Sequence, residues 1–185
     1  MPQFISSEIY RKSTYGAWHP LAIPRVSTVM DLATALSWLE PGGWVRSPRA
    51  RPRALSAWHS PDYIAAVLKA ERDGHVSDEV RNRYNLGTHA NPVFGAMYRR
   101  PATAAGAAVW AGEHLKDSGV LYSPAGGTHH GMPDHANGFF VISTTRFWRS
   151  FRCANTVCGA SLMWTLMPII LTGLSMRLRQ TPIRC

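Results

Sequence analysis

The chain has 185 residues, 45% of them hydrophobic, which allows one domain with a real core and is ordinary for a globular protein. Its net charge of +9 would suit an anionic partner, but every acid lies between Glu8 and Asp134 and six arginines follow Ile142, so direct nucleic-acid binding is not expected. The three cysteines, Cys153, Cys158 and Cys185, match no zinc spacing and are odd in number, which argues against a disulfide framework; with no signal-like apolar run in MPQFISSEIYRK, a cytoplasmic protein is expected.

In chain order, Gln3-Phe4-Ile5 opens as a short strand, followed by a Gly/His/Pro-rich loop through His19-Pro20. Ser27 is placed to cap a helix whose buried stripe would include Val29, Met30, Leu32, Ala35, Leu36, Trp38 and Leu39, ended by Pro41-Gly42-Gly43. Residues 44–57, with arginines and prolines interleaved, read as a solvated loop. His59-Ser60-Pro61-Asp62 is a clear helix start: Ser60 as cap, Pro61 in the first turn, and Asp62 near the positive helix end. Tyr63, Ile64, Val67 and Leu68 would form its apolar stripe, and His59 reads as a hydrogen-bonded packing residue rather than a ligand. Residues 73–95 look like one long irregular segment, a kind of loop that often lines or covers a site. Pro101-Ala102-Thr103 opens an alanine-rich helix reaching Leu115, stopped by Ser118-Gly119.

The stretch from Val120 to Val141, VLYSPAGGTHHGMPDHANGFFV, carries the chemistry. A short apolar strand at Val120-Leu121-Tyr122 breaks into a glycine-rich loop presenting His129 and His130, with Asp134 following. Adjacent histidines on a strand would point to opposite faces, but on such a loop both can face one cavity. Imidazole titrates near neutrality, so the pair suits proton transfer. The bland alternative is an exposed polar loop with two solvated rings. Helix, tight turn, strand and functional loop together are the grammar of an open parallel α/β sheet.

The segment SPAGGTHHGMPDHANGFF resembles the active-site loop of the histone deacetylase superfamily, in particular its bacterial branch of acetoin utilization proteins. FISSEIY, HPLAIPRVS, HSPDYI and NPVFGAMYRRPATAAGA extend the resemblance over most of residues 3–141. It implies an arginase/deacetylase-like α/β fold with flanking helices and zinc-dependent hydrolysis of acetyl-lysine or a small acetylated amine. His129 and His130 would then handle protons, one as general base and the other as electrostatic partner or acid. Phe139 would line an acyl-lysine channel, and Gly127 and Gly138 would permit close approach of substrate. Near His89-Ala90-Asn91 relatives often carry an acid that grips the substrate backbone; this chain has none there.

The larger departure lies downstream. The resemblance places metal ligands in a later segment of the form Val-Asp-x-Asp-x-His-His-x-Asp-Gly, and no carboxylate follows Asp134. The expectation is therefore that this chain has no metal ligands, does not bind zinc and is inactive as written. The genetic code offers a reason. Taking the third base of each codon with the first two of the next, Met163-Trp164 forces Val, Trp164-Thr165 forces Asp and Met167-Pro168 forces Ala. Leu166-Met167 permits Asp, Pro168-Ile169 and Ile169-Ile170 permit His-His, and Leu171-Thr172 with Thr172-Gly173 permit Asp-Gly. Residues 1–142 thus read as the N-terminal part of a deacetylase-like domain, incomplete, and residues 143–185 as a frameshifted tail without native domain structure. The rival reading is a non-catalytic binding or membrane-associated protein, because Cys153 to Met176 carries no charge and could serve as a hydrophobic anchor; a membrane role is not the favoured expectation.

Overall fold

In a computed structural model the described residues are 3–12, 15, 16, 19, 21–40, 42–114, 120–138 and 141–144. Among them three short strands, β1 (Gln3–Ser6), β2 (Val45–Arg46) and β3 (Leu121–Tyr122), form a parallel sheet in the order β2-β1-β3. The register sets Ile5 opposite Val45 and Gln3 opposite Leu121. This is the parallel α/β architecture the sequence predicts.

Among the described residues six helices flank the sheet: α1 (Ile9–Lys12), α2 (Arg25–Ala35), α3 (Pro52–Leu55), α4 (Pro61–Asp73), α5 (Asp78–Tyr84) and α6 (Arg99–His114). The main core joins Leu55 of α3, Tyr63, Ile64 and Val67 of α4, Met97, and Ala102 and Ala105 of α6 with Val141 and Ile142. A smaller cluster packs Met30 and Ala33 of α2 and Leu39 against Phe4 and Trp44.

The start of α4 follows the sequence closely. Ser60 Oγ accepts the Tyr63 N–H at 3.4 Å, and Gly74 in the left-handed region (φ 74°) closes the helix. Leu68 departs from the expected stripe: it is partly exposed, and Ala70 is the buried residue instead.

Three other expectations are corrected. Helix α2 starts at Arg25, without a side-chain cap, and stops at Ala35; Ser27 is buried inside it, its hydroxyl donating to the Pro24 carbonyl. Met30 and Leu39 of the expected stripe are buried, with Ala33 beside them, but Leu32, Leu36 and Trp38 are exposed. The reason is the partner: Phe4 and Trp44 meet the other side of the helix. Residues 44–57 are not merely solvated loop, for they hold β2 and α3 with Ala50 and Leu55 buried, although Arg46, Arg49, Arg51 and Arg53 are exposed as expected. Within 73–95 lies α5, capped by Ser77, whose hydroxyl accepts the Val80 N–H at 3.3 Å.

Helix α6 lies against the loop after β2. Ala50 N–H donates to the Ala102 carbonyl at 2.9 Å, and Ser47 Oγ donates to the Thr103 carbonyl at 2.6 Å. Glu71 of α4 accepts the Tyr98 and Arg99 N–H groups at 2.7 and 3.0 Å, satisfying donors at the start of α6. Ser118-Gly119 and the tail from residue 145, including the candidate anchor at 153–176, lie outside the described residues. Among the described residues no helix is long and apolar enough to cross a membrane.

Candidate active site

The histidine loop leaves the C-terminal end of β3 through a turn in which Gly126 N–H donates to the Ser123 carbonyl at 3.0 Å. Gly127 sits at φ 88°, a conformation that disfavours any side chain. Its carbonyl lies 3.0 Å from His129 Nδ1. A carbonyl only accepts, so in this contact Nδ1 carries a proton and donates it. The His129 and His130 rings sit 4.1 Å apart, centroid to centroid, tilted by 39°, and both are half-buried. The structure therefore brings the two sequence-predicted histidines side by side on one loop.

Gly138, at φ 57°, lies against one of the two histidines. A Cβ there would come within 2.8 Å of His130 Cβ and Cγ, so the missing side chain makes room for the imidazole. Gly138→Ala is expected to destabilise by about 1–2 kcal/mol through positive-φ strain and crowding, and to shift the His130 ring resonances in an NMR spectrum. Unchanged His130 chemical shifts would contradict that contact. Phe139 lies outside the described residues.

The loop is fixed by residues that the sequence did not single out for the site. Thr128 N–H donates to Thr144 Oγ1 at 3.0 Å, and Thr144 N–H returns a bond to the Thr128 carbonyl at 2.8 Å. Ser143 Oγ donates to the same carbonyl at 3.1 Å. Ser143 and Thr144 are buried, so packing continues past Ile142 to the last described residue. Gly131 makes this possible: a Cβ there would stand 2.7 Å from Ser143 N.

Helices α4 and α5 clamp the loop from outside. His59, only 1% exposed, accepts the Ser143 N–H on Nε2 at 3.0 Å. Burial pushes its pKa down to about 4, against the opposing pull of the Met132 and Pro133 carbonyls. Ser60 N–H donates to the Pro133 carbonyl at 2.8 Å, and Tyr63 OH donates to the Val141 carbonyl at 2.7 Å. From the end of α5, Asn85 Nδ2 donates to the Ala136 carbonyl at 2.8 Å, and Ala136 N–H donates back to Tyr84 at 2.9 Å. The packing role expected for His59 is thus what the structure shows. The signal that could have found the clamp is HSPDY itself, where His59 and Ser60 precede a helix that buries Tyr63 in its first turn.

Asp134 does not join the pair as a structural partner. It bonds to its neighbour His135 at 2.8 Å on the exposed tip of the loop, and that bond holds its carboxyl below the usual range. His89, where an acid was noted as missing, is exposed on the segment after α5. Among the described residues no three His, Cys, Asp or Glu side chains group so as to hold a metal ion. The described donors therefore do not by themselves fit a zinc site.

Comparison with known proteins places this geometry. The chain matches the histone deacetylase domain over residues 19–145. It is 31% identical over 142 residues to the acetoin utilization protein AcuC of Bacillus subtilis, covering 76% of this chain and 36% of that protein. Histone deacetylase 2 of rice, Oryza sativa subsp. japonica, is 33% identical over 135 residues, covering 70% of this chain and 26% of that one. The crystal structure of an HDAC homolog from Aquifex aeolicus superposes with a TM-score of 0.78 at 33% identity, covering 83% of this chain and 41% of that chain. An HDAC homolog complexed with SAHA superposes equally well, with a TM-score of 0.78. The chain thus spans well under half the length of these relatives. With its domain match, its parallel sheet and its histidine loop in agreement, this chain belongs to the histone deacetylase family.

Proposed function

We propose that this chain is the N-terminal, proton-handling part of a zinc-dependent deacetylase acting on acetyl-lysine or a small acetylated amine, and that on its own it binds no zinc tightly and turns over no substrate. The observation that carries the reading is the His129–His130 pair, rings 4.1 Å apart on a clamped loop at the end of β3. In the complete site zinc would polarise the acyl carbonyl and activate water. This chain's own contribution is narrower. Nε2 of His129 is free of the Gly127 contact and can accept a proton, while His130, seated against Gly138, supplies the second imidazole. Gly127 and Gly138 would permit close approach of the substrate, and Phe139 would line the acyl-lysine channel.

The missing carboxylates are attributed to a shifted reading frame starting near Ser143. The reading is supported by the forced Val, Asp and Ala at Met163-Trp164, Trp164-Thr165 and Met167-Pro168. The nucleotide sequence across codons 135 to 185 tests it directly: codons that cannot spell the aspartate-histidine segment in the alternate frame would refute it.

For the activity, an acetyl-lysine peptide assay with added zinc is expected to show no turnover above background with the 185-residue chain. Turnover that His129→Ala abolishes would overturn the prediction. So would tight stoichiometric zinc uptake at a site touching these imidazoles.

A further inference from the structure

The segment after β2 gathers charge that the described fold does not neutralise. Residues 46–53, RSPRARPR, hold four arginines and no acid. Arg46, Arg49, Arg51 and Arg53 are all exposed. Among the described residues Arg11, Arg72, Arg81 and Arg99 each meet an Asp or Glu within 3.5 Å, and none of these four does. The backbone beneath them is pinned. Ser47 N–H donates to the Ser6 carbonyl of β1 at 2.7 Å, and Ala50 N–H donates to the Ala102 carbonyl of α6 at 2.9 Å. Ser47 and Ala50 are buried between the arginines, Leu55 is buried just after them, and Pro48 and Pro52 restrict the backbone further. The guanidinium groups are thus presented outward from a fixed segment, so little backbone freedom is lost when an anion binds them.

Strands β2 and β3 both run parallel to β1, so the chain leaves both at the same end of the sheet. The arginine segment therefore starts at the end where the histidine loop starts, the end at which open α/β sheets bind ligands. Helix α3 leads on to α4, whose capping residue Ser60 holds the histidine loop through its bond to the Pro133 carbonyl.

The surroundings select the kind of anion. Helix α4, which packs against α3, carries Asp62, Glu71 and Asp73, and α5 opens with Asp78 and Glu79. These carboxylates oppose a long polyanion such as duplex nucleic acid, and α3, four residues long, is too short to read a groove. No aromatic residue lies between Arg46 and Arg53 on which a single-stranded base could stack. A short run of aspartate or glutamate meets neither obstacle, and a guanidinium fork binds a carboxylate through two parallel hydrogen bonds.

We propose that residues 46–53 are a docking surface for a short acidic stretch of a polypeptide, bound through Arg46, Arg49, Arg51 and Arg53. Docking there brings the rest of that polypeptide to the end of the sheet that carries His129 and His130, which points to acetyl-lysine within a polypeptide, rather than a free acetylated amine, as the substrate. That last step rests on the functional reading above; the docking does not.

The test is fluorescence anisotropy of a labelled peptide of consecutive glutamates titrated with the full 185-residue chain at low ionic strength. Saturable binding is expected. Arg49→Gln, Arg51→Gln and Arg53→Gln together should weaken it about tenfold or more, and Arg51→Gln alone about twofold to threefold. Arg72→Gln, Arg81→Gln and Arg83→Gln together remove the same charge from exposed positions of α4 and α5 and should leave it within about twofold. The six arginines after Ile142 are present in both triple variants, so their contribution cancels. No binding by the parent chain, or equal loss in the two triple variants, overturns the docking. So does tighter binding of a single-stranded or duplex oligonucleotide that the first triple variant abolishes, because the arginines then serve nucleic acid. For the substrate step, acetyl-lysine is joined to the glutamate peptide through a glycine-serine linker, and the His129 and His130 ring resonances are followed by NMR. Shifts beyond those caused by the glutamates alone are expected. A bound peptide whose acetyl-lysine leaves both rings unmoved upholds the docking and removes the substrate step.

Discussion

Gly106→Ala is expected to destabilise the fold by about 3 kcal/mol despite placing a better helix former inside α6. A Cβ at this position would lie 1.9 Å from the Pro48 carbonyl oxygen and 2.9 Å from Ala50 N. Both obstacles are backbone, so no rotamer change relieves them. The helix would have to retreat from the loop, lengthening the Ala50–Ala102 and Ser47–Thr103 hydrogen bonds. Helix propensity returns at most about 1 kcal/mol, and overpacking against backbone with loss of buried hydrogen bonds outweighs it. Urea titration measures the difference; an unchanged midpoint would show that α6 and the loop are not in the contact described.

His59→Leu is expected to cost about 3 kcal/mol at neutral pH and to remove part of the acid sensitivity of the fold. The substitution keeps volume but strands the Ser143 N–H, which His59 Nε2 accepts in a site with no solvent access. The pH dependence follows from burial. An ordinary histidine titrates at 6.5, whereas this one is pushed down to about 4. Between those values the unfolded chain binds a proton at this residue and the folded chain does not. Stability contributed by the neutral ring is therefore whole above about pH 6.5 and is lost progressively as pH falls to about 4, a total of about 3 kcal/mol. Unfolding titrations at several pH values should show this slope in the parent and not in His59→Leu. Equal slopes in both would mean that another group carries the acid response.

These residues also show what could be read in advance. Ser60, Pro61 and Asp62 act within one helical turn, so local chemistry alone places the start of α4. The histidine pair was legible because its glycine-rich setting frees the loop from strand alternation. The face of α2 was not legible. Leu32 and Leu36 are as periodic as Met30 and Ala33, and only the position of Phe4 and Trp44 decides which side is covered. Helix α5 was missed because DEVRNRY buries Tyr84 alone, too little to register as a stripe. Gly106 looks like one more small residue in an alanine-rich helix until the path of Pro48 is known. The clamp on the histidine loop joins Ser143 to His59 and Val141 to Tyr63, residues so distant along the chain that no local pattern links them.

The central strand of the sheet has a consequence for how the chain reaches this shape. Among the described strands β1 comes first in the chain, yet one of its neighbours, β3, comes last. Closing so large a loop is entropically slow, so β1 can pair with the nearby β2 well before β3 reaches its other side. The rate-limiting step of folding is therefore expected to be the arrival of β3 beside Gln3 and Phe4, with the helices already formed and the strand edges open to chaperones in the interval.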